Sequence, residues 1–257
     1  MNKSKFEWTD YTWSPVRGCL HACPYCYAAR IDKRFGDGKF TPTFHPERLG
    51  EPLKVKKPSR IFVGSMADLF GDWDWKVEMG GSITRDYIID CIFNIINQCL
   101  QHTFIFLTKN PVGMQGIEFP NNCWCGTSVE NQDKAKERIS ELLKVNCKTL
   151  FVSYEPAIGP VDFNRIGSDQ FGWGRLDALN GLWYMRANAL EYGCDWETEK
   201  AKNKLKWLII GAQTGPGAVK PNPVWTSKTI FQCREAGIPI FVKDNCKWPE
   251  VIREFPQ

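Results

Sequence analysis

The sequence predicts an α/β fold wound as a barrel or a partial barrel. Three observations carry that expectation. Short runs rich in β-branched and aromatic residues alternate with helical patterns along the chain. Several runs are nearly continuous in apolar character, as strands buried on both faces of a parallel sheet are. No G-x-G-x-x-G fingerprint opens a helix after any run, so the alternative, a doubly wound sheet, lacks its usual phosphate-binding motif.

The predicted strands, in order, are one near Trp13 to Gly18 and six runs: 60–66, 103–108, 123–129, 149–154, 207–212 and 238–243. Between them, Thr84 to Leu100 aligns Ile88, Cys91, Ile92, Ile95, Ile96 and Cys99 on one helical stripe. Gln132 to Val145 groups Ala135, Ile139, Leu142 and Leu143, and Pro223 to Ala236 opens on Pro and stops at Gly237. Repeated strand–helix units imply right-handed parallel crossovers. Residues 163–204 break the rhythm: they show no strand run and are rich in Gly, Asn and Trp. They read as an insertion or lid between the fifth and sixth units of a single domain spanning 1–257. A second break, Gly71 to Ser82, holds Asp-Trp-Asp-Trp.

Composition bounds the function classes. The chain has 257 residues and a net charge of +4, which is compatible with an anionic ligand without requiring one. No stretch approaches the roughly 18 apolar residues of a membrane span, and the N-terminal residues lack the apolar core of a secretion signal. The expectation is a cytoplasmic protein with no membrane partner, whose thiols stay reduced. Eleven cysteines, an odd number, exclude complete internal disulfide pairing.

The sharpest local feature is Cys19-Leu-His-Ala-Cys23-Pro-Tyr-Cys26-Tyr, a C-x3-C-x2-C loop. Three crowded thiolates repel one another unless a cation neutralises them, so a metal or cluster is the expected occupant. A structural zinc takes four ligands and calls for a second C-x2-C, which the sequence does not contain. A zinc knuckle completed by His21, His45 or a distant cysteine remains the plain alternative. Three cysteines on a cubane cluster leave one iron open to a substrate or cofactor.

With Tyr25 before its last cysteine, this loop resembles the cluster loop of radical S-adenosylmethionine enzymes. Further blocks extend the resemblance: 7–19, His45-Pro-Glu-Arg-Leu49, 62–70, Leu107-Thr-Lys-Asn-Pro111, Gly126-Thr-Ser-Val-Glu-Asn-Gln132 and Val152-Ser-Tyr-Glu-Pro156. They are similar to a phage-associated family of unknown function placed near spore photoproduct lyase. The similarity covers nearly the whole chain outside the insertion. It implies a partial (β/α)6 barrel of the TIM type. It also implies a [4Fe-4S] cluster on Cys19, Cys23 and Cys26, and S-adenosylmethionine bound at the open iron. Reductive cleavage would yield a 5′-deoxyadenosyl radical, with the electron drawn from a donor such as flavodoxin or ferredoxin. Where that family often carries Gly-Gly-Glu-Ser-Gly, this chain reads Gly211-Ala-Gln-Thr-Gly215.

Parallel barrels bind ligands at the C-terminal strand ends. Here those ends carry Ser65 and Asp68, Thr108 and Lys109, Ser128 and Glu130, Ser153 and Glu155, Gln213 and Thr214, and Lys243 and Asp244. Each is separately explicable as a helix cap; their recurrence favours a site. The resemblance implies that Tyr25, Gly64, Ser65 and Met66 serve the cofactor, the last three at the amino group of its methionine moiety. Ser128 and Glu130 would meet its carboxylate or ribose, and Glu155 and Gln213 the ribose or substrate. Lys109 and Lys243 would neutralise a carboxylate or phosphate. Lys109, Glu155 and Lys243 are thus the candidate catalytic residues.

The other cysteines read as packing at positions 91, 99, 123, 125 and 233, and are unassigned at 147, 194 and 246. Trp8, Trp13, Trp124 and Trp207 read as core. Seven others, at 73, 75, 173, 183, 196, 225 and 248, cluster in breaks and termini, where aromatics beside Lys or Arg can stack on nucleobases. The leading expectation is a radical enzyme on an unidentified substrate, nucleic acid or nucleotide among the classes open to it. The alternative is a non-catalytic metal- or nucleic-acid-binding module on a degenerate barrel.

Overall fold

The computed structural model describes residues 1–77, 80–167, 174–186, 196–215 and 217–257. It is a mixed α/β fold with one large, mostly parallel sheet. In spatial order the strands are β1 (Asn2–Lys3), β2 (Tyr11–Trp13), β3 (Arg60–Val63), β4 (Thr103–Thr108), β5 (Cys123–Val129), β6 (Thr149–Tyr154), β7 (Trp207–Ile210) and β8 (Ile240–Val242). β1 pairs antiparallel with β2, while β2–β3, β3–β4, β6–β7 and β7–β8 are parallel. Spatial order equals chain order. A doubly wound sheet reverses its order at a switch point, so that alternative is excluded. Among the described residues no helix is long and apolar enough to cross a membrane.

The chain divides into two compact units, Met1–Gly126 with Asn146–Lys148, and Thr127–Val145 with Thr149–Gln257. In the first, α1 (Tyr27–Phe35) follows the cysteine loop and α2 (Arg85–Gln98) links β3 to β4. Thr84 caps α2 by accepting from the Tyr87 amide, and Ile88, Ile89, Ile92 and Ile96 are buried. Burying each such side chain contributes about 1.5–3 kcal/mol. Residues 71–82 do more than interrupt: Trp75–Val77 and Ser82–Ile83 join Val16–Arg17 and Thr43–Phe44 in a four-stranded sheet. Trp75 is fully buried there, which corrects its grouping with exposed aromatics.

In the second unit, Asn131 caps α3 (Gln132–Leu142) and Asn222 caps α4 (Pro223–Glu235), each by accepting a backbone amide of the first turn. The expected strandless insertion is corrected. Arg175–Asp177, Leu182–Arg186 and Trp196–Lys200 form a three-stranded antiparallel sheet. The last of these strands reads Trp-Glu-Thr-Glu-Lys and carries no apolar run, whereas the middle one, Leu-Trp-Tyr-Met-Arg, does carry one that the sequence reading passed over. Buried Asp177 ties the first turn together, accepting from the Leu179 and Asn180 amides and from the side chains of Asn164 and Asn180. Trp173 and Cys194 lie outside the described residues. Trp8, Trp13 and Trp207 are core residues as expected, whereas Trp124 is half-buried.

Candidate functional site: the thiol loop

The loop starts at Gly18, whose φ of +90° suits glycine and whose added Cβ would lie 2.1 Å from the Thr41 carbonyl oxygen. It ends where Cys26 caps α1, its Sγ accepting from the Ala29 amide at 3.3 Å. Cys19 Sγ accepts from the His21 amide at 3.5 Å. Burial nonetheless pushes the Cys19 thiol up to about 12; the His21 amide opposes this, and the charges of Asp68, Cys23 and Cys26 add to it. Cys19, Cys23 and Cys26 are all half-buried, and none of the described cysteines is in a disulfide.

Several contacts pin the loop. His21 Nε2 lies 2.8 Å from Asp68 Oδ2. Asp68 is buried, and also accepts from the Thr108 hydroxyl at 2.7 Å, the Lys109 amide at 2.8 Å and the Phe70 amide at 3.2 Å. Its carboxylate thus joins the loop to the end of β4. Lys109 Nζ donates to the Tyr25 hydroxyl at 3.2 Å and lies 5.2 Å from that ring's centroid. Finally, the Tyr27 hydroxyl donates to the Ser65 carbonyl, and the Gly18 amide to the Met66 carbonyl at 2.9 Å. Trp73 packs edge-on to His21 with centroids 5.1 Å apart.

The structure therefore brings Cys19, Cys23, Cys26, Tyr25, Ser65, Met66 and Lys109 into one neighbourhood of the first unit. Gly64, with φ of +71°, makes the turn that presents Ser65 and Met66. Among the described residues no group of three His, Cys, Asp or Glu side chains forms a ready metal site. The donor set still has soft-metal chemistry: three thiols in one loop, one of them at a helix N-terminus. A bound cation deprotonates a coordinating thiol outright, which reverses the burial effect on Cys19. His21 is directed to Asp68 and His45 Nδ1 lies 3.2 Å from Glu47.

The second unit holds the remaining candidates in two groups. Glu130 is buried and paired with Arg138 of α3 at 3.2 Å, and the same guanidinium donates to the Ser128 carbonyl at 2.8 Å. Sequence reasoning missed Arg138, although its place on the Ala135–Ile139–Leu142 stripe was the signal that a buried acid faces it. Glu155 and Lys243 form an ion pair between the ends of β6 and β8. Gly211 lies between them, where a Cβ would come within 2.6 Å of Glu155 Cδ and 2.9 Å of Lys243 Cδ. Asn245, also missed, clamps the next residue by bonding both the amide and the carbonyl of Ala212. Gln213 accepts from the Val219 amide at 3.3 Å.

A second thiol group lies in the first unit. Cys123, Cys125 and Cys147 are buried, and the Cys147 thiol donates to the Cys123 carbonyl at 3.3 Å. Burial first, then the neighbouring Cys147 sulfur, raises the Cys123 and Cys125 thiols. They are neutral packing groups.

One family model, described as a protein of unknown function (DUF5131), matches residues 3–254. No curated protein and no solved structure matches the chain.

Proposed function

Because the chain belongs to the DUF5131 family, whose description carries no activity, we propose a function from its own residues: a radical S-adenosylmethionine enzyme on a partial (β/α)6 barrel. The observation that carries the proposal is the pinned C-x3-C-x2-C loop, with three thiols half-buried and Cys26 at a helix N-terminus. Cys19, Cys23 and Cys26 would hold a [4Fe-4S] cluster. When bound, such a cluster supplies an open iron for the cofactor and the electron for its reductive cleavage.

The chain's own residues do the rest. Asp68, through His21, fixes the loop against the end of β4. Tyr25 precedes the last cysteine and is held by Lys109, which keeps a positive charge beside the loop. The Ser65 and Met66 carbonyls each accept one bond from within the first unit. A carbonyl has two lone pairs, so each keeps an acceptor site for the amino group of a methionine moiety. The candidate roles of Ser128, Glu130, Glu155, Gln213 and Lys243 remain part of the same proposal. Arg138 holds the Glu130 carboxylate, which must therefore act while paired.

The test is anaerobic purification or reconstitution. The expected result is about four iron and four sulfide per chain, and release of 5′-deoxyadenosine with reductant and S-adenosylmethionine. Cys23→Ala loses both. Zinc in place of iron overturns the proposal, and a cluster without cofactor cleavage reduces it to a metal-binding module.

A further inference from the structure

A cleft of about 430 Å³ in the first unit is lined by Asn97, Leu100, Phe119, Pro120, Asn121 and Asn122. Asn97 lies in the last turn of α2, Leu100 in the link from α2 to β4, and residues 119–122 directly before β5. The cleft therefore sits where β4 and β5 begin. The thiol loop is held at the other end, where Asp68 accepts from Thr108 and Lys109. The six residues of β4 between them rise about 20 Å. Asn122 has a fixed orientation: its Nδ2 donates to the Cys99 carbonyl at 3.3 Å and to the His102 carbonyl at 3.1 Å. Its Oδ1 is buried and accepts from nothing among the described residues, which costs about 1–3 kcal/mol.

We infer that this cleft binds an uncharged pyranose sugar. Two features call for a hydrogen-bond donor on the ligand. One is the open Asn122 Oδ1. The other is the end of α2, whose partial negative charge meets no basic side chain in its last turn. The donor is neutral, because no charged side chain lines the cleft and an ion would give up hydration without gaining a counter-ion. A sugar hydroxyl supplies it. Further hydroxyls both donate and accept, so they match either end of the Asn97 and Asn121 amides. Those two side chains are exposed and bonded to no described residue. The C–H face of the ring covers the apolar wall, chiefly Leu100, which is 74% exposed. A nucleobase would need an open aromatic face to stack on, and Phe119 is only 9% exposed, its ring packed against Phe93 and Phe106. The volume falls within the roughly 300–1,000 Å³ of small-molecule sites.

The inference does not rest on the proposed function, and its test reads no thiol. Saturation-transfer NMR on the full chain uses the methyl glycosides of glucose, galactose and mannose as probes, with n-butylammonium and adenosine beside them. The expected result is binding of at least one glycoside with a dissociation constant of about 1 mM or tighter. The double variant Asn97→Ala/Asn121→Ala removes two side chains that hold no other element, so its melting temperature stays the same. It should bind that glycoside at least about fivefold more weakly, the loss of one to two hydrogen bonds. Asn94→Ala is the control: Asn94 is exposed on α2 and outside the lining, and binding should change less than about twofold, within the scatter of a surface substitution. No binding of any glycoside, full binding by the double variant, or equal loss in the control overturns the inference. So does tighter binding of butylammonium or adenosine with the same loss in the double variant, which would assign the cleft to a cation or a base.

Discussion

Asp68→Asn removes one charge and almost no volume, yet it should be costly. The two carboxylate oxygens serve different donors. Oδ1 accepts from the Thr108 hydroxyl and the Phe70 amide; Oδ2 accepts from the Lys109 amide and faces His21 Nε2. An asparagine must put its NH2 group in one of those places. On the Oδ1 side the Thr108 hydroxyl can turn and accept, but the Phe70 amide cannot. On the Oδ2 side the Lys109 amide is stranded. Either orientation leaves one backbone N–H without an acceptor, which costs about 1–3 kcal/mol when buried. The remaining bonds also lose their charge assistance. About 2 kcal/mol, divided by a urea m-value of about 3 kcal/mol/M, lowers the unfolding midpoint by roughly 0.7 M. Urea unfolding followed by circular dichroism measures this. A double-mutant cycle with Thr108→Val isolates the hydroxyl's share, and the coupling should exceed about 0.5 kcal/mol. The same variant weakens the charge-assisted contact to His21, so loop thiols should react faster with a disulfide reagent under native conditions. A midpoint within 0.15 M of the unaltered protein, with unchanged thiol reactivity, would refute the reasoning; that window is about 0.5 kcal/mol.

Three further outcomes are expected. Lys243→Met leaves Glu155 as an unpaired charge in a largely buried place and should destabilise by about 3 kcal/mol, whereas adding Glu155→Gln restores much of the loss; a double variant no better than the single contradicts this. Gly211→Ala drives a methyl against the same pair and should cost about 1–3 kcal/mol, read as a lowered melting temperature. Burial, with Glu254 adding and Arg234 opposing, pushes the Cys233 thiol from 9.0 up to about 12. The fold therefore favours the neutral thiol: that stability is fully present below pH 9 and is lost as pH rises toward 12. Stability curves should show a shallower decline over that window for Cys233→Ala, and parallel curves would count against it.

Much of the fold was legible because the central strands are buried on both faces. Thr103–Thr108, Cys123–Val129 and Thr149–Tyr154 are uninterrupted runs, and the strands have those same bounds. Elements paired locally were harder to read, and of the three strands in 175–200 only Leu182–Arg186 carries an apolar run. Trp196-Glu-Thr-Glu-Lys200 is a strand because Leu182–Arg186 lies alongside it, and periodicity in one segment does not reveal its partner. Trp75 is buried for the same reason: the strand it joins, Thr43–Phe44, is more than thirty residues earlier in the chain.

The candidate site divides along the same line. Ligand spacing is a local property, so Cys19, Cys23 and Cys26 could be read from the sequence directly. What holds them is not local. Asp68 is 47 residues from His21, and Lys109 is 84 residues from Tyr25. At the sequence level Asp68 and Lys109 were two polar strand ends among a dozen, each explicable as a cap. The hydrogen bonds distinguish them. Asp68, after β3, joins the end of β4 to the loop, and Lys109 reaches Tyr25, whereas Glu130 and Ser128 are turned to Arg138 within the second unit. A polar residue at a strand end is therefore a weak signal by itself, because capping and ligand binding select the same side chains. It becomes informative when its partner is another functional element rather than the helix that follows. By that criterion Asp68 and Lys109 have a stronger claim on the thiol loop's chemistry than Glu130 does, and the comparison of Asp68→Asn with Glu130→Gln for iron retention decides it. If Glu130→Gln loses iron and Asp68→Asn keeps it, the ordering is reversed.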